Sequence, residues 1–134
     1  MTEGELKQPR VLHVDDDDDI RAITQIALSV VGGLDVLQCA SGEEALEVAE
    51  GYRPDLLLLD VMMPDMSGEE TLAKLRLLSG LEATPVVFMT AKTHSDDVDH
   101  LMELGTKKVI SKPFDPLSLA NEVVDVWKDS QRSA

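Results

Sequence analysis

Five side chains stand where apolar runs end: Asp15 and Asp16 after Val11 to Val14, Asp60 closing Leu56 to Asp60, Thr90 closing Pro85 to Thr90, and Lys112 after Lys108 to Ser111. Three acids gathered in one place repel one another. At about 4 Å and an effective dielectric of ~20, each like-charge pair costs on the order of 4 kcal/mol. Either some carboxyl pKa values rise sharply or a cation sits among them. Hard oxygen donors with room for water suit Mg²⁺ (or Mn²⁺), which takes one or two carboxylates, waters and a substrate phosphate. Lys112 adds a fixed positive charge and Thr90 a hydroxyl donor. Together they suit phosphoryl transfer. A carboxylate can be the nucleophile, giving an aspartyl phosphate, while a cation, a lysine and a hydroxyl stabilise charge on the phosphoryl oxygens. A carboxylate is already deprotonated, so this chemistry needs no general base, and no His or Cys stands at these acidic strand ends.

That chemistry depends on elements that bring the five residues together. Val11 to Val14 reads as a first strand, and Ile20 to Val31 as a helix with Ile20, Ile23, Ala27 and Val30 or Val31 at helical spacing. Gly32-Gly33 ends it. Leu34 to Cys39 is a second strand, and Ser41 with Glu44 a capping box opening a helix through Glu50. Leu56 to Asp60 is a third strand, apolar on both faces. Ser67 with Glu70 caps a helix to about Leu78; Pro85 to Thr90 is a fourth strand; Ser95 to Leu104 is a helix with Val98, Leu101 and Met102 on one side and Gly105 as its stop. Lys108 to Ser111 is a fifth strand, and Asp115-Pro116 starts a last helix with Leu117, Ala120, Val124 and Trp127 as its stripe. Alternating strands and helices imply a parallel sheet covered on both faces. The expected fold is α/β, a flavodoxin-like doubly wound (βα)5 with strand order 2-1-3-4-5. Ligands bind such sheets beyond the carboxyl ends of the strands. The polar residues then converge on one pocket over strands one, three, four and five.

Composition narrows the function classes. The 134 residues suit one domain, with residues 1-9 and 130-134 expected as loose ends around a domain over 10-129. The net charge of −14 disfavours direct contact with nucleic acid or an anionic membrane. The single cysteine excludes an internal disulfide and favours a cytoplasmic setting. No secretory signal is visible at the start, and no apolar run approaches the ~20 residues of a membrane span.

"VLHVDDDDDIR", "PDLLLLDVMMPDMSG", "PVVFMTAK" and "VISKPF" resemble, in order and each in the expected element, the landmarks of response-regulator receiver domains. The resemblance spans about residues 10 to 129. It implies a two-component or phosphorelay switch in which Asp60 accepts phosphoryl from a sensor histidine kinase or a histidine phosphotransfer protein. It further implies that Asp16 binds Mg²⁺ directly and Asp15 mostly through water, with the Met62 backbone carbonyl as another ligand. Thr90 would be the switch hydroxyl, Lys112 would pair with phosphate, and the Lys112–Pro113 bond would be cis. The domain would not be an enzyme beyond its own phosphorylation and autodephosphorylation. It would act on an effector protein or relay phosphate onward, with contacts through the fourth-helix, fifth-strand and fifth-helix face and through the first helix. One feature departs from the family: Val109 stands where an aromatic is common. The expectation is a stand-alone receiver, with no output domain after the fifth helix.

Two other readings stay open on the residues. A haloacid-dehalogenase-type phosphatase needs a second acid two residues after its nucleophile, where this chain has Met62. A constitutive adaptor would keep the fold without depending on phosphorylation. His13 reads as a packed strand residue, His94 and His100 as polar positions near the fourth helix, Cys39 as a small apolar residue, and Trp127 as packing for the last helix. Met62, Met63 and Met66 line a loop and do not suit a hard cation through their thioethers.

Overall fold

The computed structural model describes residues 8–132. The first seven positions of the expected segment 1-9, and the last two of the expected tail 130-134, lie outside the described residues. The elements alternate along the chain: β1 (Arg10–Val14), α1 (Asp18–Gln25), β2 (Asp35–Cys39), α2 (Gly42–Tyr52), β3 (Leu56–Asp60), α3 (Gly68–Leu75), β4 (Val86–Thr90), α4 (Ser95–Glu103), β5 (Lys108–Ser111) and α5 (Leu119–Arg132). All strand pairs are parallel, in the order β2-β1-β3-β4-β5. This is the doubly wound fold that the alternation of runs implies.

Alternation along each strand builds two cores. Val11, Leu56, Leu58, Val87 and Met89 meet Ala27 and Leu28, which follow α1 directly, and Leu119, Val123 and Trp127 of α5. Leu12, Val14, Leu57, Leu59 and Phe88 meet Ala45 and Ala49 of α2, Leu72 and Leu75 of α3, and Leu101 of α4. Leu56 to Leu59 are fully buried, each contributing roughly 1.5–3 kcal/mol by removal from water. An unbroken leucine run is what a central parallel strand, covered twice, requires.

The helices correct several sequence expectations. The first helix begins at Asp18, capped by the Asp17 carboxylate, and continues as a π-helical stretch over Ile26–Val31. Thr24, Ala27 and Leu28 form its buried face, whereas Ile23, Val30 and Val31 are exposed. This segment carries apolar residues on two faces, so spacing alone selected a line that mixes them. In α4, Leu101 is buried but Met102 is largely exposed. In α5, Leu119, Ala120, Val123, Val126 and Trp127 pack inward, and Leu117 is exposed. Asp115 does cap, accepting from the Leu117 N–H, but the chain first makes a turn in which Ser118 and Leu119 both donate to the Asp115 carbonyl. The helix therefore starts at Leu119 rather than at Pro116, and it runs through Arg132. Ser67 and Glu70 form the full reciprocal capping box of α3. At α2 only half of the expected box forms: Ser41 accepts from the Glu44 N–H, while the Glu44 carboxylate reaches the N–H of Ala40.

Candidate functional site

The carboxyl ends of β1, β3, β4 and β5 open into one cavity of about 270 Å³, lined by Asp15, Asp16, Asp17, Asp60, Met62, Thr90, Ala91, Lys92 and Lys112. The register explains the convergence. Val14 lies beside Leu59, Asp60 beside Met89, and Thr90 beside Ser111. The residues ending these strands thus share one rim. All five residues singled out by type and position reach it, and Met62 joins them.

Asp15, Asp16 and Asp60 each bring a carboxylate oxygen within 4.8 Å of the others. Asp15 and Asp60 are buried, and Asp16 is exposed. Lys112 Nζ donates to Asp60 Oδ1 at 2.9 Å and lies 2.7 Å from Asp15 Oδ2. The second contact is an ion pair with a fully buried carboxylate. Burial pushes the Asp60 carboxyl up to about 6; the Lys112 hydrogen bond and charge oppose this, and the negative charges of Asp15 and Asp16 reinforce it. Burial works against the Lys112 ammonium, but its bonds and charge attraction to Asp15 and Asp60 outweigh that and raise its pKa. Thr90 Oγ1 accepts the Lys92 N–H at 3.0 Å. The Lys112 N–H continues the ladder to the Thr90 carbonyl at 2.9 Å, and the Lys112–Pro113 bond is cis.

The loop after Asp60 folds back tightly. The Gly68 N–H donates to the Val61 carbonyl at 2.9 Å, and a Cβ at Gly68 would overlap the Asp60 carbonyl. Only glycine permits this approach.

Three unequal acids facing one ammonium carry more negative charge than that ammonium neutralises. Lys112 faces Asp15 Oδ2 and Asp60 Oδ1, while the exposed Asp16 carboxylate makes no side-chain hydrogen bond among the described residues; oxygens gathered this closely are what a hard cation takes. Asp15, Asp16 and Asp60 fit that role.

A family model described as a response regulator receiver domain matches residues 11–124. The chain belongs to the response regulator receiver family. Its relatives include the alkaline phosphatase synthesis transcriptional regulatory protein PhoP of Bacillus subtilis, 35% identical over 125 residues that cover 93% of this receiver and 51% of that protein. The DNA-binding response regulator MtrA of Mycobacterium tuberculosis is 40% identical over 114 residues, covering 85% of this chain and 48% of that one. This receiver therefore spans about half the length of the curated relatives it matches. Among solved structures, the chemotaxis protein CheY4 of Vibrio cholerae superposes with a TM-score of 0.82 at 32% identity, covering 90% of this chain and 99% of that one. A CheY-like receiver from Methanospirillum hungatei gives a TM-score of 0.82 at 26% identity, covering 96% and 100%. No helix of the described residues is long and apolar enough to cross a membrane.

Several features around the site had weak signals in the sequence. Arg21 donates to the Asp15 carbonyl and pairs with Asp18, and only its position three residues after an acid hinted at a local pair. His94 caps α4 by accepting the Asp96 N–H, a role that Ser, Thr, Asp or Asn usually fills. His100 Nε2 meets Glu69 Oε2 at 2.7 Å across the gap between α4 and α3, a contact no local spacing encodes. Val109, at the departure from the family pattern, packs against the core that contains Phe88 and Leu101.

Proposed function

We propose that this receiver is a phosphorylation switch whose acceptor is Asp60, taking phosphoryl from a histidine kinase or a histidine phosphotransfer protein. One observation carries the reading: Lys112 Nζ bridges the carboxylates of Asp60 and Asp15 inside a cluster of three acids. Lys112 holds Oδ1 of Asp60, so Oδ2 meets the electrophile. An Asp60 oxygen bonds to phosphorus as the phosphorus–nitrogen bond of the phosphohistidine breaks. The bonding pair returns to the imidazole nitrogen, and a proton already on the other ring nitrogen, or one taken from water, makes the departing imidazole neutral. Lys112 then pairs with phosphoryl oxygens. Thr90 turns its hydroxyl hydrogen toward them, its oxygen lying at hydrogen-bond distance from the Lys92 N–H in the unphosphorylated protein. Asp15, Asp16, Asp60 and the Met62 carbonyl would hold Mg²⁺ (or Mn²⁺). The ion supplies positive charge that lets two negatively charged reactants approach.

The net charge of −14 favours protein partners over nucleic acid for these residues. Phosphorylation shifts a conformational equilibrium, and the phosphorylated form binds an effector or passes phosphate on. Residues 10-129 form the signalling unit in this account, acting in the cytoplasm. Its chemistry ends at self-phosphorylation and loss of the phosphoryl group. The test is transfer from a phosphorylated histidine phosphotransfer domain, followed by borohydride reduction and peptide mapping. Reduction at residue 60, absent in Asp60→Asn, supports the assignment. Reduction elsewhere refutes it.

A further inference from the structure

The three acids differ in how they are held, and that difference exposes a support the site needs. Every polar group of Asp15 is fixed by a different neighbour. Its N–H donates to the Cys39 carbonyl of β2 at 3.1 Å. Its Oδ1 accepts the Asp17 N–H at 3.0 Å, and Lys112 faces Oδ2. Its carbonyl oxygen accepts from Arg21 Nη1 at 2.7 Å. That carbonyl belongs to the peptide joining Asp15 to Asp16. Asp16 makes no side-chain hydrogen bond among the described residues, so what holds it toward the cluster is its backbone, and this peptide sets the direction in which its Cβ leaves the chain.

Arg21 is itself anchored from the sheet. Gln38 Nε2 of β2 donates to the Arg21 carbonyl at 2.8 Å and lies 3.0 Å from Nδ1 of His13, a fully buried residue of β1. An amide nitrogen at that distance needs an acceptor, so Nδ1 carries the lone pair and the imidazole proton sits on Nε2. Arg21 also pairs with Asp18 through Nη2. The guanidinium fork thus ties the first turn of α1 to the acidic loop, while β1 and β2 hold the backbone of Arg21 from behind.

We infer that Arg21 and Gln38 are positioning residues for the cation site, with His13 as the buried acceptor that orients Gln38. They touch neither cation nor phosphoryl group; they hold the Asp15–Asp16 peptide so that the carboxylates converge before any ligand arrives. Lysine cannot replace the arginine, because one ammonium cannot span the Asp15 carbonyl and the Asp18 carboxylate as a planar fork does. This inference rests on the cation binding assigned above, and its test separates the two.

The experiment is calorimetric Mg²⁺ titration of the unphosphorylated protein at 25 °C, with thermal melts in EDTA, for wild type, Arg21→Met, Arg21→Lys, Gln38→Met and Arg10→Met. Arg10 sits at the opposite end of β1, stacked 4.2 Å over the Tyr52 ring and 3.8 Å from Asp35, so it serves as a control for stability alone. Removing groups that orient ligands typically weakens metal binding by about 10- to 100-fold, and Arg21→Met is expected in that range. Gln38→Met should lose less, and Arg21→Lys should recover only part of the Arg21→Met loss. Arg10→Met should melt earlier and bind Mg²⁺ as wild type does. Arg21→Met and Gln38→Met proteins that are folded and bind like wild type would overturn the inference while leaving the cation site intact. If Arg21→Met does not fold, Gln38→Met and Arg21→Lys decide the matter on the same criterion. A wild type that binds no Mg²⁺ would overturn the inference together with the cation assignment.

Discussion

Asp16→Asn should make this receiver more stable and less able to bind Mg²⁺. The Asp16 carboxylate has a ligand oxygen within 4.8 Å of those of Asp15 and Asp60. At that separation one like-charge pair costs about 3.5 kcal/mol at an effective dielectric of 20, and about 0.9 kcal/mol in bulk water. Asp16 is exposed, so the watery limit is the better guide. Two such pairs give about 2 kcal/mol, and attraction to Lys112 offsets about half. The expected gain without metal is about 1 kcal/mol, or roughly 3–5 °C in Tm for a chain of this length. Mg²⁺ should then reverse the order. Ligand present at 100 times its Kd stabilises a native state by about 2.7 kcal/mol, which wild type should receive and Asp16→Asn should largely lose. The assay is thermal unfolding by circular dichroism at low ionic strength, in EDTA and then in Mg²⁺. A variant that melts below wild type in EDTA would refute the picture of three mutually repelling acids. Equal Mg²⁺ shifts in both proteins would refute the cation role of Asp16.

Three further predictions follow from other parts of the site and core. Lys112→Met should slow labelling of Asp60 by acetyl phosphate by about 100-fold, the usual scale for losing one electrostatic stabiliser; a time course of intact mass reads this directly. Gly68→Ala should destabilise the fold by about 1–3 kcal/mol, because the new methyl group overlaps the Asp60 carbonyl; urea titration measures the loss, and labelling should fall with it. Burial, reinforced by Glu44, pushes the Cys39 thiol up to about 12. Iodoacetamide at pH 8 should therefore leave Cys39 unmodified in the folded protein and alkylate it in denaturant, as mass spectrometry would show.

What was legible in the sequence follows from where the information is local. Asp15, Asp16, Asp60, Thr90 and Lys112 were identifiable because each ends a run of residues apolar enough to be a strand, and parallel strands bring their ends to one rim. Leu56 to Leu59 signalled a doubly covered central strand, and they are fully buried. The inward stripes of the first and last helices differ in part from the spacing-based expectation because both segments carry surplus apolar residues. Val30 and Leu117 fit a helical spacing as well as the residues that pack, and only the facing sheet chooses between them. The Arg21, Gln38 and His13 support was hidden for another reason: it joins β1, β2 and α1 through atoms that come together only after the strands pair.

The most direct test of the account is intact-protein mass after incubation with acetyl phosphate and Mg²⁺, for wild type and Asp60→Asn, each with and without EDTA. The account predicts one added phosphoryl group on wild type alone, abolished by EDTA. A phosphoryl group gained equally by Asp60→Asn, or gained undiminished in EDTA, would contradict it.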